Sequence, residues 1–267
     1  MLEVMWARVP TRKKVLEPGQ RLRVGSTSHA DLAVPGDRQM SPAHFALSWD
    51  GERCRLTDLG SAKGTWLNGQ LVSEGEVTNA GWIKAGSTTF SVYFENATPP
   101  LVEADTTPAK VRALDTLEAE EAPLFAVVDA SRDLRVLELL RESAEEYQSL
   151  YDGLKGHALA HVAPYLVRLP AGSRLLQRLV LETLGKRWGL YLTCRRPFTE
   201  VRRHLRRFLI VEDDKTGKKM YFRFYDPKVL AAFLPTCTLR QRQDMFGEIE
   251  TFLLEQEDGT LRRAVFG

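Results

Sequence analysis

The sequence has few of the features that indicate an enzyme with a metal site or a membrane protein. It contains three cysteines in 267 residues, and none lies in a Cys-x-x-Cys or Cys/His pattern, so neither a zinc site nor a disulfide framework is predicted. No apolar run approaches the roughly 18 residues that a membrane span needs. Charges interrupt the apolar residues near the N-terminus, so no signal peptide is indicated and a cytoplasmic location is expected.

The motifs of common catalytic sites are also missing. The chain has no Gly-x-Ser-x-Gly elbow, phosphate-binding loop or dinucleotide fingerprint. His157 and His161 are four residues apart, as two metal ligands on one helical face would be, but no third ligand lies at a matching spacing. We therefore expect no metal, no cofactor and no catalytic activity, and an unrecognised hydrolase or toxin is the disfavoured alternative.

Composition divides the chain into three segments. Residues 98–122 carry two Lys/Arg against six Asp/Glu and are rich in proline, whereas the segments on either side have a small surplus of basic residues. Such a composition is typical of an exposed linker. We therefore expect a domain at 1–97, a linker at 98–122 and a domain at 123–267. A short helix around 111–121 would have little to pack against.

The first segment has the pattern of an all-β domain. Apolar residues alternate with polar ones at 21–24 and 44–49, as in strands that are buried on one face. Asp50-Gly51 and Asn68-Gly69 separate short strand-like runs, and both dipeptides favour the positive φ angles of a type I′ hairpin turn. Many short strands at this spacing predict a β-sandwich.

Several spaced motifs of this segment resemble those of forkhead-associated (FHA) domains. The matching residues are Val24-Gly25, Ser41-x-x-His44, Asp58-Leu59-x-Ser61 and Gly64-Thr65-x-x-Asn68-Gly69. The resemblance implies a β-sandwich whose loops at one end, here including Ser26, Ser41, Lys63, Thr65 and Asn68, read phosphothreonine.

The sequence departs from the FHA pattern at the positions that contact the phosphopeptide. Ser26 stands where the family has an arginine, and Lys63 stands where it has an asparagine. Ala62 replaces a small polar residue and Pro42 replaces a basic one, so Ser41 is the contact that remains. A lysine cannot reproduce the two parallel hydrogen bonds of an arginine with a phosphate. We therefore expect phosphothreonine reading to be lost or much weakened.

The third segment has a mixed α and β pattern. A buried strand is predicted at 124–128, and helices are predicted after Ser173, Pro197, Asp226 and Thr238. A hairpin is predicted with strands at 208–212 and 220–225, the second alternating between its two faces, and another hairpin closes the chain around 258–259. The fold class is thus an all-β sandwich followed by a mixed α/β domain with a helical lobe.

This segment is similar to the effector adaptors of type VI secretion systems, a family long classed as a domain of unknown function. The matching motifs are Phe125-Ala-Val-Val-Asp129, Leu150-Tyr-Asp-Gly153, Ala163-Pro-Tyr-Leu-Val167, Trp188-Gly-Leu190, His204-Leu-Arg-Arg207 and Arg223-Phe-Tyr-Asp-Pro227. The resemblance implies a cytoplasmic, chaperone-like protein that binds a toxin effector and helps to load it onto the VgrG spike or its PAAR tip. FHA domains recur in such systems. The alternative is a phosphothreonine-dependent regulatory scaffold.

The candidate partner-binding residues of this segment are arginines. Arg202, Arg203, Arg206 and Arg207 lie on one side of a predicted helix, where they form either a solvated face or a grip for an acidic segment of the effector. Arg223 is a further candidate, although an ion pair or helix cap within the domain would equally explain Arg223 and Asp226. Nucleic acid is not an expected partner, because the basic surplus is small and no RNA-binding motif accompanies it.

Overall fold

The chain folds into two compact units, residues 1–98 and residues 99–267. The structure is a computed structural model, and it describes residues 2–5, 13–100, 107–152, 159–212 and 216–266. Each unit has its own hydrophobic core.

The first unit is a β-sandwich of two sheets. One sheet has six strands in the order β2-β1-β11-β10-β7-β8, and the other has five in the order β4-β3-β5-β6-β9. Their bounds are β1 Leu2–Met5, β2 Lys13–Lys14, β3 Arg21–Gly25, β4 Leu32–Ala33, β5 Phe45–Trp49, β6 Cys54–Asp58, β7 Thr65–Leu67, β8 Gln70–Val72, β9 Glu74–Val77, β10 Gly81–Ala85 and β11 Thr88–Val92. Alternate residues such as Val24, Leu56 and Ile83 fill the core, which confirms the predicted sandwich.

The two predicted hairpin turns have different geometries. Asn68 and Gly69 both have positive φ, 49° and 89°, and join β7 to β8 directly, as expected for a type I′ turn. At the other turn only Gly51 has positive φ, so the type I′ prediction there is wrong. Trp49 pairs with Cys54, and the Asp50 carboxylate accepts hydrogen bonds from the amides of Glu52 and Arg53. The aspartate therefore stabilises a longer, four-residue loop.

The second unit is built on one antiparallel sheet of six strands in the order β13-β14-β12-β15-β18-β19. A separate two-stranded hairpin consists of β16 and β17. The bounds are β12 Leu124–Asp129, β13 Tyr147–Ser149, β14 Pro164–Leu169, β15 Gly189–Cys194, β16 Ile210–Glu212, β17 Lys219–Tyr221, β18 Ile249–Glu255 and β19 Leu261–Val265. Every residue of β12 is buried, as its apolar run predicted, because helices cover both faces of the sheet at its centre.

Six α-helices occur in the described part of this unit. They are α1 Pro108–Glu118, α2 Arg135–Arg141, α3 Arg174–Thr183, α4 Phe198–Arg206, α5 Pro227–Phe233 and α6 Leu239–Phe246. Several begin where the sequence predicts a cap: the side chains of Ser173, Asp226 and Thr238 each accept a hydrogen bond from the first turn of the helix that follows. Thr238 and Gln241 complete a capping box.

The helices are divided evenly between the two faces of the sheet. Buried residues of α1, α2 and α3 pack with Ala126 and Val128 on one face, and those of α4, α5 and α6 pack with Phe125 and Val127 on the other. The unit is therefore mixed α/β, and its described residues form three layers with no separate helical lobe.

The acidic, proline-rich segment contains a helix that packs against the second unit. Ala113 and Leu117 of α1 are almost fully buried in the core that α2 and α3 share. The expectation that a helix here would have little to pack against is wrong, because its two apolar positions are four residues apart and face the core together. Residues 108–118 thus belong to the second unit rather than to an exposed linker.

The hairpin of β16 and β17 is shorter than predicted. Its second strand ends at Tyr221, and Phe224 and Tyr225 are both buried, so the predicted alternation of faces over 220–225 is wrong beyond the strand. The chain turns here because the Asp226 amide bonds the Arg223 carbonyl ahead of α5. Residues 213–215 of the predicted turn lie outside the described residues.

The described residues include no helix that is long and apolar enough to cross a membrane. All three cysteines are free thiols, with Cys54 and Cys194 buried. Burial raises the pKa of Cys54 to about 11, so this thiol is protonated at neutral pH and is a poor nucleophile.

Candidate interaction sites

The loops at one end of the sandwich hold the predicted phosphopeptide residues in a hydrogen-bonded frame. The Ser26 amide donates to the Ser41 carbonyl at 3.0 Å, and the Ser41 hydroxyl oxygen accepts from the Ala62 amide at 3.0 Å. The Ser41 amide donates to Nδ1 of the buried His44, whose Nε2 lies 3.1 Å from the Gly64 carbonyl oxygen. His44 therefore ties the loop of Ser41 to the loop of Gly64 from within and is not available to a ligand.

Two further residues of the motif act within the fold. The Thr65 hydroxyl donates to the Asp58 carboxylate at 2.5 Å, and that carboxylate also accepts from the Ser61 hydroxyl and from the amides of Gly60 and Ser61. Burial alone would raise the pKa of Asp58, but these hydrogen bonds outweigh it and hold the pKa below its usual range. The Asn68 side chain accepts from the amide of Trp82 on the neighbouring strand β10. Thr65 and Asn68 thus shape the loops.

A close backbone approach explains the glycine of the Val-Gly motif. A Cβ at Gly25 would lie 2.0 Å from the Pro42 carbonyl oxygen. Any side chain at this position would push apart the loops that carry Ser26 and Ser41. Lys63 and Arg38 are exposed, so the cations available at this end of the sandwich are flexible and solvated.

In the second unit, two motifs that are far apart in the sequence meet in one cluster of charges. Asp129 ends β12, and its Oδ2 lies 3.6 Å from Arg132 Nε and 3.7 Å from a terminal nitrogen of Arg223. Asp226 caps α5 and accepts hydrogen bonds from Arg132 at 2.5 Å and from Arg187 at 2.6 Å. The cluster therefore joins the end of β12, the loop before β15 and the start of α5.

The geometry of this cluster supports a structural role for its members. Arg187 has a φ of 57°, a left-handed conformation that is uncommon outside glycine. Burial would raise the pKa of Asp226, but the hydrogen bond from Arg187 and that from the Lys228 amide, with the charge of Arg132, hold it below the usual range. Arg223 also donates to the Ser131 hydroxyl at 2.7 Å. Both Arg223 and Asp226 thus make contacts within the domain, as the interpretation of an internal ion pair or helix cap predicted.

The three arginines of α4 and Arg207, its C-cap, divide into two pairs with different environments. Arg202 Nε donates to the Ser149 carbonyl at 2.8 Å, and Arg206 Nε donates to the Leu150 carbonyl at 2.9 Å. Arg206 also pairs with Asp152 at 2.8 Å. These two arginines hold the chain that follows β13. Arg203 and Arg207, one position further along in each turn, are exposed.

Arg203 and Arg207 line a cleft of about 950 Å³ between α4 and α6. Its other charged lining residues are Arg196, Glu200, Arg240, Asp244 and Glu248, and its apolar residues include Leu239 and Ile249. Arg196 pairs with Glu248 at 3.4 Å. Leu239 is 78% exposed at the rim. A cleft with arginines and an exposed leucine has the chemistry to bind an amphipathic segment that carries carboxylates.

His204 forms part of this cleft and is held in one orientation. Its Nε2 lies 2.9 Å from the Met245 carbonyl oxygen, and its ring packs so closely on Gly247 that a Cβ there would lie 2.6 Å from it. Burial lowers its pKa, so the ring is neutral at neutral pH, with Nε2 carrying the proton that the carbonyl accepts. No carboxylate orients it as a triad would, among the described residues.

The histidine pair singled out by its spacing is not assembled into a metal site in the described residues. His161 is exposed in a short 3-10 turn, Ala160–Val162, and His157 lies outside the described residues. No group of three or more potential metal ligands occurs in the described part of the chain.

Sequence reasoning missed some members of both sites in the second unit. Arg132 and Arg187 bind Asp226 from 94 and 39 residues away, and Arg240 reaches the cleft from a different helix. The positive φ at Arg187 has no sequence signature, because only glycine and asparagine commonly indicate that conformation. The motif Asp226-Pro227 was the available clue to the first site.

Comparison with known proteins matches part of each unit to a domain family. Residues 22–86 match the model of the FHA domain, and residues 124–244 match the model of a domain of unknown function, DUF4123. Residues 22–86 therefore form an FHA domain, a protein-interaction module. No curated protein matches the chain significantly.

Several solved structures that are similar to part of the chain are FHA domains. The FHA domain of the CT664 protein from Chlamydia trachomatis is 22% identical, with 34% of this chain and 93% of that chain covered and a TM-score of 0.33. The Rv1747 FHA-1 domain from Mycobacterium tuberculosis is 27% identical, with 34% and 95% covered and a TM-score of 0.29. The N-terminal FHA domain of Rad53p from S. cerevisiae, solved with a phosphothreonine peptide, is 19% identical, with 36% and 94% covered and a TM-score of 0.32.

Proposed function

We propose that this protein is a non-enzymatic adaptor of a type VI secretion system. Its second unit binds a toxin effector and helps to load it onto the VgrG spike or its PAAR tip, and its FHA domain recruits a further protein. The observation that carries the proposal is the similarity of residues 124–250 to effector adaptors. Two of the motifs behind that similarity, one ending at Asp129 and the other containing Arg223 and Asp226, meet in one cluster of ion pairs. The location expected for such an adaptor is the cytoplasm.

The environment of the α4 arginines favours the cleft as the place where an effector would bind. Arg202 and Arg206 are occupied by main-chain carbonyls, so they serve the fold. Arg203 and Arg207 are exposed beside Leu239 and have space in front of them. An effector segment with carboxylates and an apolar side chain would neutralise these arginines and cover the leucine. Surface charge pairs of this kind contribute more to orientation and association rate than to affinity.

Charge reversal in the cleft should weaken effector capture. We expect Arg203→Glu or Arg207→Glu to reduce co-purification of the toxin effector with the tagged full-length protein by about tenfold. The new glutamate would repel a carboxylate of the effector, and a tenfold loss corresponds to about 1.4 kcal/mol. Arg168→Glu, an equal change at an exposed position of β14, is the matched control and should retain the toxin. The yields are measured from the native host together with that of VgrG.

The same experiment distinguishes the adaptor from other functions. If neither a toxin nor VgrG accompanies the full-length protein or the fragment 99–267, the adaptor proposal is wrong. Recovery of phosphoproteins by the full-length protein alone would instead favour the regulatory scaffold. If toxin and VgrG are retained by both cleft variants as by Arg168→Glu, the adaptor function stands and the effector binds elsewhere.

A phosphothreonine-dependent scaffold is the second candidate, because the loop frame around Ser41 is complete. FHA domains act through phosphopeptides, but Ser26 supplies no guanidinium here. We expect phosphothreonine peptides to bind the full-length protein only weakly, and Ser26→Arg to strengthen binding by at least about tenfold, as a charge-assisted pair of hydrogen bonds would. Calorimetry with phosphorylated and unphosphorylated peptides measures both.

Two serine variants show whether any binding uses the expected loops. Ser41→Ala removes the hydroxyl that faces the Ala62 amide, whereas Ser73→Ala is a matched change at an exposed serine beside β9. Micromolar or tighter binding by the unmodified protein that is lost in Ser41→Ala and kept in Ser73→Ala would contradict our expectation and support the scaffold.

A further inference from the structure

The outer edge of β19 presents main-chain groups that no other strand uses. Among the described residues, β19 pairs with β18 alone and lies at the end of the sheet. The Gln256 amide donates to the Thr260 carbonyl where the hairpin closes. Hydrogen-bonded pairs alternate along an antiparallel ladder, so Arg262 and Ala264 bond to β18 while the N–H and C=O groups of Leu261 and Arg263 point outward.

A small apolar groove lies beside this edge. Its volume is about 340 Å³. It is lined by the apolar residues Ala231, Leu234, Pro235, Leu254, Ala264 and Val265 and by the arginines Arg242, Arg262 and Arg263. No acidic residue lines it. An apolar side chain that enters the groove therefore does so between positive charges.

The guanidinium groups of Arg242 and Arg262 have N–H donors without an acceptor among the described residues. Arg242 donates from one terminal nitrogen to the Val265 carbonyl at 2.7 Å, but its Nε is buried and has no acceptor among the described residues. Arg262 is exposed and makes no ion pair with any described residue. Arg263, by contrast, pairs with Glu120. The groove is thus short of hydrogen-bond acceptors, and a partner with carboxylates would supply them.

We propose that β19 and the adjoining groove form a docking edge for an extended acidic segment of a partner protein, which adds to the sheet as a seventh strand. The main chain of the segment would bond Leu261 and Arg263. Arg262 and Ala264 lie on the same face of the sheet as the groove, so side chains two residues apart on one face of the segment would place apolar groups in the groove and carboxylates at Arg242 and Arg262. A second copy of this chain is a poor occupant, because antiparallel pairing through the outward groups of Leu261 and Arg263 would place either Arg262 or Arg263 opposite its own copy, and like charges across paired strands are destabilising.

This docking edge does not depend on the adaptor function and can be tested with defined peptides. The probes are a fluorescein-labelled peptide of two Glu-Thr-Val-Thr repeats, in which Glu and Val share one face (the Glu-Val peptide), a second with Lys in place of Glu, and a third Glu-Val peptide with alternate amides N-methylated. We expect the full-length protein to bind the Glu-Val peptide at least about tenfold more tightly than the other two, as measured by fluorescence anisotropy, because each lacks one required feature.

Protein variants locate the binding. Arg262→Glu should weaken the Glu-Val peptide by about tenfold, whereas Arg168→Glu, the same change on β14 of the same sheet, should leave its affinity unchanged. Equal binding of the N-methylated peptide would show plain electrostatic attraction and overturn strand addition. Absence of Glu-Val binding, or equal losses in the two variants, would overturn the site. Concentration-dependent dimers by light scattering that Arg262→Glu alters would identify a second copy as the occupant and likewise overturn it.

Discussion

Replacing Arg135 with alanine should lower the free energy of unfolding of the second unit by about 3–5 kcal/mol. Arg135 is 2% exposed, and its guanidinium donates to Glu182 at 2.8 and 3.2 Å, to Glu138 at 2.9 Å and to the Pro99 carbonyl at 2.8 Å. Without it, the buried Glu182 keeps Arg178 as its partner but loses half of its compensating charge. Unfolding in urea at neutral pH, followed by circular dichroism, measures the loss.

Two control variants separate charge from packing in this cluster. Glu138 is about half exposed, so Glu138→Gln should cost less than about 1 kcal/mol. The double variant Arg135→Met with Glu182→Leu removes both buried charges and should recover most of the stability lost in Arg135→Ala. A double variant as unstable as the single one would show that the arginine contributes through its shape rather than through its charge.

The second large effect is expected at Asp226, where neutralisation should cost about 2–4 kcal/mol. Asp226→Asn weakens the cap of α5, which is worth about 1 kcal/mol, and breaks charge-assisted hydrogen bonds with Arg132 and Arg187. Because these contacts tie α5 to the end of β12 and to the loop before β15, the variant should unfold at lower urea concentration. Glu257→Gln removes an exposed acid that pairs with Lys228 and is the control, with no measurable change expected.

The cost at Asp226 should depend on pH in a defined direction. Its pKa in the folded protein is held below the usual value, so the carboxylate stabilises the fold above its unfolded pKa of about 3.9. That contribution is lost as the pH falls from about 4 through the folded pKa. The difference in unfolding free energy between the wild type and Asp226→Asn should therefore be full at pH 7 and shrink below about pH 4. A difference that stays constant to pH 3 would contradict the assigned ion pairs.

The pKa of Glu182 is also lowered in the folded protein, so Glu182 contributes to the pH dependence of the unfolding free energy as well. Burial alone would raise the pKa of Glu182, but hydrogen bonds from Arg135 and Arg178 outweigh it and lower the pKa. The wild-type acid transition therefore combines both carboxylates. Only the difference between wild type and Asp226→Asn isolates the contribution of Asp226.

The sequence predicted local elements of the fold correctly where a residue type favours a single backbone conformation or hydrogen bond. Asn68-Gly69 predicted a type I′ turn because both residues tolerate positive φ. Asp226-Pro227 predicted a helix start because the aspartate accepts an amide hydrogen bond and the proline needs none. Asp50-Gly51 predicted the same turn incorrectly, because the Asp50 side chain stabilises a four-residue loop instead.

The sequence predicted only some features of the candidate sites. Helical spacing placed the four arginines of α4 and its C-cap together, but it could not show that Arg202 and Arg206 would meet the carbonyls after β13 while Arg203 and Arg207 would not. The segment 98–122 has the composition of a linker. Its helix was expected to have little to pack against, because the core that it contacts is formed by residues far along the chain.

The sequence by itself determined the FHA β-sandwich, the mixed α/β class of the second unit, the capped helix starts and the departures from the FHA pattern at Ser26 and Lys63, because each depends on a residue and its near neighbours. The tertiary structure alone decided which charges are consumed within the fold and which remain for a partner. Arg132 and Arg187 reach Asp226, and Arg242 reaches the edge of β19, across distances in the chain that no local pattern records. Such contacts arise only when the layers pack, and packing decides which side of each helix or strand meets solvent.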